Sequence, residues 1–248
     1  LTRSAEARPT PSAACRRAQV VLTDSDASAR DIVTHLCMPE ERVKRIYLAA
    51  DAMYKPAEQA ELDELQERLG LPERYLLYLG GFDCRKNVLL LLDAFAELAR
   101  RDPNIVLVVA GKLPSEDTAF HPDPRRYVAD RCMERVQFLG WVDEQDKPAL
   151  YSGALAFCFP SKYEGFGLPV LEALSCGTPA IVGGNSSLPE VVGPCGLAVP
   201  LEPFALAEAM QQLIKDYALR QQLAQAGLEH AAGFSWKTTA EETVRAYR

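Results

Sequence analysis

The stretch Phe159-Pro160-Ser161-Lys162-Tyr163-Glu164-Gly165-Phe166-Gly167-Leu168-Pro169-Val170-Leu171-Glu172-Ala173 decides the fold. The apolar run from Ala154 to Phe159 reads as a buried parallel strand that ends at Pro160. A loop with glycines at 165 and 167 follows, and Pro169 opens a helical pattern that continues to Leu174. Pro169 suits the first helical position, where its missing N–H has no partner to lose. Strand, glycine loop and helix N-terminus together make a phosphate site. The first-turn N–H groups are free, and the helix dipole adds positive potential. Gly165 and Gly167 lack the Cβ atoms that would hold an anion off the backbone.

Two glutamates give the loop its chemical direction. Glu164 lies in the loop, and Glu172 is expected in the first helical turn, leaning back toward the phosphates as helical side chains do. A carboxylate offers paired acceptor oxygens to vicinal hydroxyls such as those of a ribose. A second carboxylate beside the phosphates would read another polyol. The combination points to a nucleotide-sugar site. Each glutamate alone has a plainer reading, Glu172 as a helix-dipole partner and Glu164 as a solvated loop residue.

This stretch resembles the signature of retaining glycosyltransferase family 4, a GT-B group (glycosyltransferase group 1) marked by two glutamates separated by seven residues. The fuller pattern, Pro-Ser-x-x-Glu-Gly-Phe-Gly-Leu-Pro-x-x-Glu-Ala, is matched at every defined position from Pro160 to Ala173. The resemblance implies that Glu172 binds ribose hydroxyls and Glu164 holds donor-sugar hydroxyls near the reacting carbon. It also implies that the backbone N–H groups of Phe166, Gly167 and Leu168 face the diphosphate.

Composition narrows the alternatives. A chain of 248 residues can hold one large domain, or one domain and part of another. Net charge is −7 with no block rich in lysine or arginine, which argues against a nucleic-acid partner. No apolar run approaches the length of a membrane span, and no signal-peptide pattern opens the chain. The seven cysteines are scattered without a C-x-x-C pair, and the three histidines do not cluster. Free thiols in a reducing cytoplasm are therefore expected, with no zinc site.

Taken in order, residues 1–14 read as a loose start, and Gln19 to Thr23 as a strand. A helix is expected over Ala27 to Leu36, with Asp24-Ser25-Asp26 supplying capping acceptors rather than a metal-diphosphate triplet. Val43 to Tyr47 reads as a second strand. This opening resembles the last strand–helix–strand of the family's N-terminal half. Residues 1–51 would then be the tail of the acceptor-side domain and its crossover, residues 52–248 the nucleotide-sugar domain, and the chain a fragment of a longer protein.

A helix over Glu58 to Leu69 stops at Gly70, and the strand Tyr75 to Leu79 runs into Gly80-Gly81-Phe82-Asp83-Cys84-Arg85-Lys86-Asn87. Strand, glycine turn and basic pair ahead of a helix over Val88 to Arg100 suggest a second phosphate contact. Lys86 supplies a point charge and Arg85 a planar fork of donors. The turn has neither Rossmann nor Walker A spacing, so NAD and ATP sites are not supported. Arg85-Lys86-Asn87 matches the family's turn, although many members carry an arginine where Gly81 stands here. The strand Ile105 to Ala110 ends at Gly111, where the family's backbone approaches the nucleotide. His121 falls in the loop Leu113 to Asp123 and reads as an exposed residue rather than a base. After a helix over Arg125 to Met133 and a strand over Val136 to Leu139 comes Gly140-Trp141-Val142. By resemblance Trp141 and Val142 line the base pocket; alternatively Trp141 covers the edge of a core turn. Strands over Gly177 to Val182 and Cys195 to Val199, the loop Gly183 to Val191, and three C-terminal helices complete the pattern. The family's final helix crosses back onto the N-terminal half.

Alternating strands and helices predict an α/β, Rossmann-like, doubly wound parallel sheet, with the site where the Gly80, Gly111, Gly140 and Ser161 loops converge. The expected function is transfer of a sugar from a UDP-, GDP- or dTDP-sugar to a glycan or lipid-linked acceptor hydroxyl, with retention. Glu164 and Lys86 are the expected catalytic residues. Arg85, Gly81, Gly111, Trp141, Val142, Ser161, Gly165, Phe166, Gly167, Leu168 and Glu172 are the expected donor-binding set. Family precedent implies a front-face displacement that needs neither metal nor cofactor, in a cytoplasmic protein with peripheral association at the inner membrane face through the missing half. The alternative is a sugar-nucleotide-binding module without transferase activity. A phosphorylase is disfavoured because no pattern for a pyridoxal phosphate lysine is present.

Overall fold

The computed structural model describes residues 11–131 and 133–248. The N-terminal segment runs α1 (Pro11–Arg17), β1 (Val21–Thr23), α2 (Asp26–Leu36) and β2 (Val43–Arg45). Then come α3 (Gln59–Leu69), β3 (Tyr75–Leu79), α4 (Val88–Ala99), β4 (Val106–Ala110), α5 (Pro124–Asp130) and β5 (Val136–Gly140). The second half contains α6 (Lys147–Ser152), β6 (Ala156–Phe159), α7 (Leu168–Ser175), β7 (Ala180–Gly183), α8 (Leu188–Val192) and β8 (Gly196–Val199). Three helices close the chain, α9 (Pro203–Lys215), α10 (Tyr217–Ala231) and α11 (Trp236–Ala246).

Strands β3 to β8 form one parallel sheet in the order β5-β4-β3-β6-β7-β8. Every residue of β3, β6 and β7 is buried, which is why these strands read as unbroken apolar runs rather than alternating ones. The edge strands β5 and β8 are only partly covered. Helix α4 packs against α9, and α10 against α7. The chain winds outward from β3 through β4 to β5, then returns to β6 beside β3 and winds the other way. Ligands in such sheets sit at this reversal, outside the carboxyl ends of the two central strands. The loops there are Gly80–Asn87 and Ser161–Gly167.

At the same end of the sheet, Gly111 N–H donates to the Gly140 carbonyl at 2.7 Å, and Gly80 N–H to the Ala110 carbonyl at 3.1 Å. Gly111 has φ +136°, and a Cβ on it would stand 2.0 Å from the Gly80 carbonyl oxygen. Only glycine lets these two loops close on each other.

The N-terminal segment forms its own two-stranded parallel sheet, with Val21 opposite Val43 and Thr23 opposite Arg45. Ser25 caps α2, its Oγ accepting from Ser28 N–H at 3.0 Å, so the Asp24-Ser25-Asp26 triplet does contain the cap. One expectation needs correction. Residues 11–14, expected as part of the loose start, open helix α1; Ala13 and Ala14 favour helix, and Arg16 and Arg17 in its last turn suit the dipole. The rest of that expectation, residues 1–10, lies outside the described residues. The segment docks on the large sheet domain through Tyr47, whose ring lies 5.9 Å from Phe166 and 5.4 Å from Phe234. Helix α11 reaches the same place, with Thr239 Oγ1 donating to the Tyr47 carbonyl at 2.6 Å.

Candidate active site

Lys86 and Glu164 meet at the reversal point. Lys86 leaves the turn after β3 and Glu164 the loop after β6, yet Lys86 Nζ lies 2.6 Å from Glu164 Oε1. Their side chains are 19% and 14% exposed, so the pair is largely shielded, with the ammonium 5.1 Å from the Phe159 ring centroid. The two loops are also joined through the backbone, Lys162 N–H donating to the Arg85 carbonyl at 2.7 Å. A cation and a carboxylate are thus fixed together beside a helix N-terminus. The first suits a diphosphate and the second suits hydroxyls.

That helix, α7, begins at Leu168 after Gly167, whose φ of +113° belongs to the region glycine favours. Pro169 is therefore its second residue rather than its first, still within the turn whose N–H groups have no helical partner. The N–H groups of Phe166, Gly167 and Leu168 donate to no acceptor among the described residues.

Glu172 is the fifth residue of α7, one position deeper than a helix opening at Pro169 would put it, and just past the first turn. The helix starts before Pro169, which moves the glutamate inward. Its Oε2 accepts from Tyr151 Oη at 3.0 Å. Burial lifts the Glu172 carboxyl above its ordinary range; the Tyr151 bond and Lys147 oppose the shift, and Glu144 adds to it. Tyr54 stands close by, its Oη donating to Glu144 Oε2 at 3.1 Å. Tyr151, fully buried, is itself pushed up by burial and by Glu172. Sequence reading missed Tyr54, Glu144, Lys147 and Tyr151. The two tyrosines read as ordinary core aromatics, and Glu144 and Lys147 as solvated charges near a helix start, so neither pair carried a signal pointing to Glu172.

The family model for glycosyl transferases group 1 matches residues 59–230, a span that contains both central loops and both glutamates. The chain belongs to this family. The O-antigen chain mannosyltransferase B of Escherichia coli is 36% identical over 237 residues, covering 93% of this chain and 61% of that protein. The alpha-D-kanosaminyltransferase of Streptomyces kanamyceticus is 30% identical over 244 residues, covering 95% of this chain and 61% of that protein. The chain thus spans about three fifths of the length of these curated relatives. Among solved structures, the sucrose-phosphate synthase of Thermosynechococcus elongatus superposes with a TM-score of 0.82 at 28% identity, over 96% of this chain and 59% of that one. Anabaena HepE, solved with UDP, shares the fold at a TM-score of 0.83 and 23% identity, over 94% of this chain and 65% of that one.

Other expected site residues of this group 1 glycosyltransferase chain are placed less simply. Arg85 turns onto Asp83, Nε to Oδ1 at 2.8 Å, while its side chain stays 56% exposed. Burial pushes the Asp83 carboxyl up, but the bonds from Arg85 outweigh it and hold it below its ordinary range. The arginine fork is therefore already engaged. Gly81 is exposed, its carbonyl taken by Tyr78 Oη. Ser161 is fully buried, and its hydroxyl has no partner among the described residues. After β5, Trp141 is 66% exposed while Val142 is buried, so Trp141 does not cover a core edge. His121 lies exposed in its loop, as expected.

A cavity of about 540 Å³ opens beside the glycine turn, lined by Phe82, Asp83, Cys84, Asn87 and Lys162 among others. A larger one of about 820 Å³ lies between β8 and α9, and none of the expected site residues line it. Loop chemistry, not cavity size, marks the site. Among the described residues no cluster of His, Cys, Asp and Glu is arranged to hold a metal, and no helix is long and apolar enough to cross a membrane.

Proposed function

We propose that this chain is the donor-binding half of a retaining glycosyltransferase that moves a sugar from a nucleotide-sugar to an acceptor hydroxyl. The observation that carries the reading is the Lys86–Glu164 pair, 2.6 Å apart at the reversal point of the sheet. In this reading Lys86 leaves Glu164 for the diphosphate and neutralises charge as the leaving group departs. Glu164, released, accepts from donor-sugar hydroxyls, and Glu172 accepts from the ribose. The free N–H groups of Phe166, Gly167 and Leu168 take phosphate oxygens. Gly81 and Gly111 bring backbone close to the nucleotide, and Trp141 and Val142 border the base. Arg85 contributes only if it leaves Asp83.

Residues 52–248 form the donor domain, and residues 1–51 the end of the acceptor-side domain with its crossover. The 36% identity to an O-antigen chain mannosyltransferase favours mannose as the sugar and a glycan as the acceptor. Cytoplasmic chemistry at the inner membrane face fits such an acceptor.

A thermal-shift screen with UDP-, GDP- and dTDP-sugars, GDP-mannose included, tests the reading in the presence and absence of EDTA. One nucleotide should raise Tm, by an amount that EDTA does not change if binding is metal-independent; at 100 times Kd the gain corresponds to about 2.7 kcal/mol. No shift with any of them would overturn it.

A further inference from the structure

Three successive carbonyls in the loop between the two glutamates are held by serine hydroxyls. The Glu164 carbonyl accepts from Ser186 Oγ at 2.7 Å and Ser187 Oγ at 3.0 Å. The Gly165 carbonyl accepts from Ser25 Oγ at 2.6 Å and Ser28 Oγ at 3.2 Å. The Phe166 carbonyl accepts from Ser187 Oγ at 2.7 Å. Ser187 has one hydroxyl hydrogen for two carbonyls, so it is shared, nearer Phe166. Ser25 and Ser187 are fully buried, which keeps water from competing for these bonds.

A planar trans peptide points its carbonyl one way and its N–H the other. Orienting the carbonyls of residues 164, 165 and 166 therefore orients the N–H groups of Gly165, Phe166 and Gly167, away from the serines. Those N–H groups donate to no acceptor among the described residues. Successive N–H groups held in this way make an anion-binding concavity without reorganising when the anion arrives. Two of the serines come from the N-terminal segment, Ser25 as the cap of α2 and Ser28 in its first turn, and lie 140 and 137 residues from Gly165.

We infer that Ser25, Ser28, Ser186 and Ser187 are positioning residues that preset the Gly165–Gly167 N–H groups for a diphosphate, and that docking of α2 sets how well the loop binds it. The inference rests on the donor reading above. Without the two hydroxyls of α2 the Gly165–Phe166 peptide is free to rotate, and the Phe166 N–H loses its fixed direction.

The test compares each nucleoside diphosphate with its parent nucleoside on the full chain. UDP, GDP and dTDP are titrated calorimetrically, and uridine, guanosine and thymidine by ligand-observed NMR. Ser28→Ala should weaken diphosphate binding about fivefold and Ser25→Ala about tenfold, the scale of one shielded hydrogen bond, with nucleoside binding unchanged. Ser25→Thr, which keeps the hydroxyl, should restore the diphosphate increment. If Ser25→Ala fails to fold because α2 loses its cap, Ser28→Ala decides, because its backbone N–H still reaches Ser25 Oγ. Variants that keep the full increment, or that lose nucleoside and diphosphate affinity alike, overturn the inference and leave the donor reading standing. A wild-type chain that binds none of the three diphosphates overturns both.

Discussion

Lys86 and Glu164 satisfy each other, so the charge a diphosphate needs is present but engaged. Replacing Lys86 by Met keeps the stem and removes the charge, leaving Glu164 largely shielded without its cation. Hydrogen bonds to charged groups contribute about 1.5–3 kcal/mol, so affinity for a nucleoside diphosphate should fall about tenfold or more by calorimetry. Unchanged affinity would remove Lys86 from the site. Glu172 is a different case, because burial raises its carboxyl and makes its ionised form unfavourable in the folded chain. The folded protein therefore holds this proton to higher pH than the unfolded chain. Its favourable contribution is complete below the unfolded value of about 4.3 and is lost as pH rises through the raised folded value. Glu172→Gln still accepts from Tyr151 and cannot ionise. At neutral pH its Tm should exceed wild type by about 2–4 °C, the equivalent of about 1 kcal/mol for a chain of this size. The gap should close as pH falls toward about 4. The same variant should bind nucleotide more weakly, because one acceptor oxygen becomes a donor. A variant less stable than wild type at neutral pH would mean that the carboxylate is stabilised where it sits.

At the scale of elements, the end of β4 depends on one glycine. A methyl group on Gly111 would clash with the Gly80 carbonyl at 2.0 Å, at a φ of +136°. Gly111→Ala should destabilise by about 3 kcal/mol or more and lower Tm by about 6–12 °C. Gly70 is the control: it also has positive φ, +59°, but nothing lies within 4 Å of an added Cβ, so its alanine variant should lose only about 1–2 kcal/mol. Equal losses at the two sites would mean that the approach of the Gly80 and Gly111 loops is unimportant. The elements themselves were legible wherever the signal was local. Tyr75 to Leu79 and Ala156 to Phe159 are apolar without interruption because both faces of the sheet are covered. Gly70 ended α3, and Ser25 capped α2, by chemistry contained within a few residues. Lys86 could be singled out by its turn, and Glu164 by its loop, but not their contact across 78 residues. The surroundings of Glu172 were beyond reach for the same reason, since Tyr54 and Tyr151 arrive from a connecting turn and another helix. Arg85 failed differently. Asp83 stands two residues away in plain view, but an acidic neighbour in a turn does not by itself say which side chain it will bind.

For the molecule as a whole, the question is what ties the N-terminal segment to the large sheet domain. Besides the serine bonds to Gly165, Glu190, in α8, supplies the charged part of the answer. Its carboxylate accepts from Asp26 N–H at 2.8 and 3.1 Å and from Ala27 N–H at 3.3 Å, sitting as an anion at the N-terminus of α2. Burial, with the Glu190 carboxylate beside it, pushes the Tyr47 hydroxyl up, so the same carboxylate borders the residue that meets Phe166 and Phe234. Tyr163, next to Glu164, adds a bond from its Oη to Asp31 Oδ2 at 2.6 Å on the side of α2. Removing the Glu190 carboxylate leaves the first N–H groups of α2 without an acceptor and the helix dipole without its counter-charge, a loss of about 1–2 kcal/mol. Glu190→Ala should therefore speed amide exchange about tenfold at residues 26–28 and 43–47. The amides of Leu76 to Leu79 in β3 should keep their protection, because their strand lies between β4 and β6 in the covered sheet. Glu190→Gln, which keeps an acceptor oxygen without the charge, should fall between the two. Equal acceleration in β3 would mean that segment and sheet open together as one cooperative unit. No acceleration anywhere would mean that the remaining ties, the aromatic triangle of Tyr47, Phe166 and Phe234 with the serine bonds to Gly165, hold the segment without Glu190.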